Sequence, residues 1–144
     1  MIEDEVTDMI AAVVTAKIPA LANNVIRIYS QELRGDKCLT VGVSGGRSLA
    51  PGVPFRQFDV SIGTAILKTA ENSFALLDEW TQTIRECTSA LAALAGPVTG
   101  SGTEIDTIDA LFPASGMPDE AGVDESDKYI MHRIPFTLFL SVKP

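Results

Sequence analysis

The residues that could do chemistry in this chain are few, and their spacing fits no reaction centre. Val41-Gly42-Val43-Ser44-Gly45-Gly46-Arg47-Ser48 is glycine-rich and follows a run of strand formers. A phosphate-cradling loop needs GxxxxGK[ST] leading into a helix. Here an arginine stands where the lysine belongs, and Pro51 and Pro54 forbid an immediate helix. His132 is the sole imidazole, two residues from Ile130 and Ile134 on an apolar face, so it reads as a packed residue rather than a base. Asp119, Glu120, Asp124, Glu125 and Asp127 are acidic enough for calcium, but the EF-hand offsets are missing and the run reads as a solvated loop. Cys38 and Cys87 belong to no CxxC pair. With one histidine they cannot complete the four ligands of a structural zinc, so two reduced thiols are expected. The expectation is a protein with no cofactor, no metal and no catalytic residue.

The elements around these residues follow from periodicity. Residues 3–33 read as helical, with Val6, Met9, Ile10, Val13 and Val14, and then Leu21, Val25, Ile28, Tyr29 and Leu33 at helical spacing. Pro19 should kink or divide that helix, and Gly35 should stop it. Residues 37–43 form a strand with Leu39, Val41 and Val43 on one face. Residues 44–55, with three glycines and two prolines, read as a long loop. Residues 56–67 alternate, with Phe58, Val60, Ile62 and Ile66 inward, and pair antiparallel with 37–43.

A helix capped by Asn72 or Ser73 is predicted over 73–95 and ended by Gly96-Pro97. Its stripe is Phe74, Leu77, Trp80, Ile84, Cys87, Leu91 and Leu94. Residues 97–103 read as a linker, 104–111 fit a helical turn or a short strand equally well, and 112–127 read as a flexible acidic loop. Residues 128–142 carry the longest strand signal, with Pro135 pointing to an edge or a bulge. Phe139 and Met131 fall on the nominally polar face, which hints that something covers that face as well. The fold class predicted is α+β: one domain over 1–144, an antiparallel or mixed sheet of three to five strands, an N-terminal helix and one long central helix.

Bulk composition narrows the partners. The chain has 144 residues, 46% of them hydrophobic and 21% charged, as a globular domain should. Its net charge is −8, and the basic residues are scattered. Specific nucleic-acid binding and adhesion to anionic membranes are therefore not expected. Met1-Ile2-Glu3-Asp4-Glu5 is acidic where a signal peptide would be basic. The apolar stretch 10–21 is broken by Lys17 and Pro19 and is too short to span a bilayer.

The order of elements carries a resemblance. An N-terminal helix and first strand lead to a glycine- and proline-containing loop with Gly45-Gly46-Arg47-Ser48. An alternating strand with Phe58-Asp59-Val60 comes next, then a long amphipathic helix, then the loop from Phe112-Pro113 to Asp127, and a closing strand from Tyr129 to Leu140. This arrangement resembles the tail terminator, or tail completion, proteins of long-tailed bacteriophages, a family that includes minor capsid proteins. The resemblance covers nearly the whole chain from about residue 5.

It implies a homohexameric ring at the head-proximal end of the tail tube, built in the host cytoplasm and carried in the virion at the tail–head junction. The implied partners are the chain itself, the tail tube protein and a neck or head-completion protein, with DNA passing through the ring. The loops expected to reach neighbours are 44–55 and 112–127. Candidate contact residues are Arg47, Ser48, Leu49, Phe55, Met117, Tyr129, Met131 and Phe139. The alternatives are a head-completion or connector protein, and a small ligand-binding α+β domain.

Overall fold

The computed structural model of the chain describes residues 2–27, 31–48, 51–52, 54–87, 96–97, 105–114, 116–124 and 127–142. It is an α+β domain with a mixed sheet and two helices among the described residues: α1 (Ile2–Lys17) and α2 (Ser73–Glu86). The strands are β1 (Val25–Arg27), β2 (Lys37–Ser48), β3 (Phe55–Leu67), β4 (Gly96–Pro97), β5 (Ile105–Pro113), β6 (Glu120–Val123) and β7 (Tyr129–Val142). Five of the seven strands have four or more residues, matching the upper end of the expected three to five; β1 and β4 are short additions at the sheet edges. The strand order is β1-β2-β3-β7-β5-β4, with β6 also on β7. Among the described residues only the β1–β2 pair is parallel.

Alternation sorts the sheet into two faces. Leu39 and Val41 of β2, Phe58, Val60, Ile62 and Ile66 of β3, and Ile130, Ile134, Phe136, Leu138 and Leu140 of β7 all point one way. Both helices pack on that face. α1 contributes Val6, Ile10 and Val14, and α2 contributes Leu77, Trp80 and Ile84. Lys37 lies over the Trp80 ring, 5.9 Å from its centroid, joining α2 to the start of β2. On α1, Asp4 and Asp8 meet Arg27 of β1 at 3.3 and 3.2 Å. Among the described residues, no helix is long and apolar enough to cross a membrane.

Several expectations are corrected. The first helix ends at Lys17, a 3-10 turn occupies Pro19–Leu21, and Val25–Arg27 is a strand. Helical spacing of Leu21 and Val25 misled, because β1 owes its state to the long-range ladder Val25↔Leu39 to Arg27↔Val41. Ile28 and Tyr29 lie outside the described residues. Gly35 does not stop a helix; it turns the chain into β2 with φ +73°. Half of the supposed loop 44–55 belongs to strands, since β2 runs to Ser48 and β3 starts at Phe55. Gly45 and Gly46, at φ +98° and +76°, absorb a bulge there instead of ending the strand.

The second helix is described only over Ser73–Glu86; residues 88–95 lie outside the described residues. Asn72 does stand at its N-cap, but with φ 58° and no side-chain capping bond. Gly96-Pro97 is strand β4 rather than a helix stop. Of the expected linker 97–103, Pro97 is in that strand and the remainder is outside the described residues. The ambiguous 104–111 resolves as strand β5 from Ile105 onward. The acidic segment 112–127 is not one loop: β5 reaches Pro113, and Glu120–Val123 forms β6.

Pro135 sits in an internal strand, and the edge expected there is local. β5 pairs with Phe136–Val142 and β6 with Ile130–Arg133, along the same side of β7. Together they form one long strand interrupted by the excursion 114–119, opposite Ile134 and Pro135. Ala114 N–H donates to the Pro135 carbonyl at 3.0 Å. A residue's N–H and C=O share a side in an antiparallel strand, so the proline nitrogen faces this gap and breaks no ladder bond.

Candidate interaction surface

At one end of the second face of the sheet the described residues build a second, smaller core. Ile26, Cys38, Ala65 and Tyr129 form a small core there, with Leu33, Leu67 and Met131 packed on it. The segment 31–36 closes this end. Asn24 Nδ2 donates to the carbonyls of Arg34 and Lys37 at 2.7 and 2.8 Å, and the Tyr129 hydroxyl donates to the Gly35 carbonyl at 2.7 Å. Burial pushes the Cys38 thiol up to about 11 from its ordinary 9.0, despite opposing hydrogen bonds to the backbone of Arg34 and Ala65. Burial likewise raises Cys87 and the Tyr129 phenol. A raised thiol stays protonated and is a poor nucleophile or metal ligand.

Beyond that small core the described residues of the second face are mostly half-buried, with Asp59 exposed. A cleft of about 450 Å³ lies on this face. Its floor is Asp59 and Ser61 of β3, Arg133, Pro135 and Thr137 of β7, and Ser44 of β2. One wall is the excursion, through Ala114, Met117 and Pro118, with Glu120 at its end. Arg133 Nη2 meets Glu120 Oε2 at 2.6 Å, while its Nε is buried with no hydrogen-bond partner. The Arg133 stem crosses Gly63, whose added Cβ would lie 2.1 Å from the His132 carbonyl oxygen and 2.8 Å from Arg133 Cγ. Glycine is the residue that lets β3 and β7 close here.

His132 points to the helical face, away from the cleft. Its Nε2 lies 3.2 Å from Asp119 Oδ2, and the same carboxylate pairs with Arg85 of α2. This cluster ties the excursion to α2 and β7. Ser44, Ser61 and Thr137 thus have no imidazole beside them, and the cleft offers hydroxyls, the Asp59 and Glu120 carboxylates and the Arg133 guanidinium. Among the described residues, no three His, Cys, Asp or Glu side chains converge as metal ligands would.

The eight predicted contact residues do not form one patch. Phe55 opens β3, half-buried and opposite Ser141, and Phe139 is half-buried between Gln57 and Ala110. Met117 is 63% exposed at the cleft wall. Tyr129 and Met131 belong instead to the small core, and Tyr129, at 7% exposure, offers no free surface. The reason is the crossing of 31–36, which alternation within 128–142 cannot reveal. Arg47 and Ser48 are ladder residues of β2, opposite Gln57 and Arg56, and Leu49 lies outside the described residues.

Sequence reasoning missed Asp59, Arg133 and Glu120 as cleft residues. The one available signal was Arg133 sharing a face with Met131 and Phe139. No protein-family model matches the chain, and no curated protein matches it.

Proposed function

We propose that this chain is a structural subunit of a ring that caps the head-proximal end of a phage tail tube, stops its polymerisation and joins tail to neck. The observation that carries the reading is the unequal use of the sheet: both helices cover one face, while the described part of the other carries a cleft lined by Asp59, Ser61, Arg133 and Thr137. A subunit whose work is contact needs such surface, and a ring needs a heterologous interface that closes on itself. The order of elements behind the resemblance supports the same role. The charge of −8 per copy suits a channel that lets DNA pass, because like charge repels within a Debye length of about 8 Å.

Polymerising tube subunits test this reading. Added at the start of polymerisation, the protein should shorten the tubes and sit at one end of each in negative-stain images. Tubes of unchanged length with bare ends would refute it. Binding to duplex DNA at low salt should be weak; tight, salt-sensitive binding would count against the channel role.

A further inference from the structure

The cleft on the second face carries a charge that its own residues leave unbalanced. Two carboxylates, Asp59 and Glu120, and one guanidinium, Arg133, line it, a net charge of −1. Arg133 Nη2 meets Glu120 Oε2 at 2.6 Å, so these two offset each other. Asp59 is exposed and has no ion-pair or hydrogen-bond partner among the described residues.

The ladders set the lining out in rows. Ser44, Asp59 and Thr137 share one row, Gly42, Ser61 and Pro135 the next, and Gly63, Arg133 and Glu120 the one after. Successive rows on one face lie two residues apart, about 6.7 Å along the strands. Alternate side chains of any extended peptide have the same spacing. The middle row is low and uncharged, since Gly42 has no side chain and Pro135 no N–H. Ala114, Met117 and Pro118 wall the cleft beside Pro135 with apolar surface. Met117 is 63% exposed, and its unbranched side chain can fit itself to a neighbour.

We infer that the cleft holds an extended segment of a partner polypeptide, a basic side chain on Asp59 and an apolar side chain two residues away, over Pro135 and against Met117. The basic group donates to the Asp59 carboxylate, with the Ser44 and Thr137 hydroxyls of the same row as further acceptors. The Ser61 hydroxyl is left for the backbone of the segment. Charge selects the occupant, because an acidic side chain at the first position meets the unbalanced carboxylate. All of these residues belong to one chain, so the inference goes beyond the ring reading and does not depend on it.

The probe is the capped peptide acetyl-Ala-Arg-Ala-Leu-Ala-amide, titrated into the protein by calorimetry. It should bind saturably, and its counterpart with Glu in place of Arg should bind at least about fivefold more weakly. Replacing its Leu by Ala should weaken binding to a similar degree, about fivefold. Asp59 is exposed, so Asp59→Lys should keep the melting transition of the wild type while reversing the preference, taking the Glu peptide over the Arg peptide. Butylguanidinium has the charge and the stem without the peptide, and should bind at least about tenfold more weakly than the Arg peptide.

No binding of the Arg peptide, or an unchanged preference in Asp59→Lys, overturns the inference. Butylguanidinium binding as tightly as the peptide assigns the cleft to a free small cation and overturns the polypeptide occupant. Tube-capping and mass are untouched by any of these results, so failure here leaves the ring reading to its own test.

Discussion

The two faces of the sheet obey different rules. The helical face is closed by apolar side chains, among them Phe58, Ile62, Phe136 and Leu140, each no more than 1% exposed. The second face alternates a small core at one end with a polar cleft at the other. The same strands thus bury one side against helices and the other only in part. Substitutions should sort by face, not by strand.

The largest contrast is between neighbours on β7. Phe136→Ala should cost about 3–5 kcal/mol, because truncation in a close-packed core leaves a cavity as well as losing transfer energy. Thr137→Ala, one residue on and facing the cleft, should change stability by less than about 0.5 kcal/mol. Denaturant titration of both variants measures the difference, and equal losses would abolish the distinction. Gly63→Ala comes next. Its Cβ would collide with the β7 backbone at the His132 carbonyl, and a loss of about 1–3 kcal/mol is expected from overpacking. Unchanged stability there would mean that β3 and β7 are not so closely apposed.

The small core gives a pH signature. Cys38 is raised from 9.0 to about 11, so its neutral form is favoured by folding. The associated stability is complete below about pH 9 and is lost as pH rises toward 11, to the extent of about 2–3 kcal/mol. Urea midpoints between those pH values should fall in the wild type and flatten in Cys38→Ala; parallel curves would contradict the burial. A small effect is expected at the excursion. Asp119→Asn weakens the pairs to Arg85 and His132, but Arg85 is 46% exposed, so the loss should stay under about 1 kcal/mol. Exchange of the amides of 116–123 should nevertheless speed up, since side-chain charge pairs hold an otherwise exposed β6.

The helical face was far more legible in the sequence than the second face. Strict alternation in 56–67 and 128–142 announces β3 and β7, because each buries one side against helices and a two-residue period survives any detail of topology. The antiparallel β2–β3 pair followed from adjacency. β1 and β6 were illegible for a common reason: three and four residues carry no period, and each is a strand only because a longer neighbour offers an edge. β6, Glu-Ala-Gly-Val, is exposed at every position and has a single β-branched residue.

The candidate surface was half-read. Phe139 and Met131 were rightly put on one face, but the segment 31–36 buries the end where Tyr129 and Met131 lie. The cleft needs the excursion 114–119, whose position opposite Pro135 depends on pairing between distant strands.

The mass of the unmodified protein in solution, across its accessible concentration range, tests the central claim most directly. The ring reading, with the six copies that the resemblance implies, predicts an assembly of about six times the 15.3 kDa chain, visible as rings by negative stain. A particle of one chain's mass at every concentration would contradict the account.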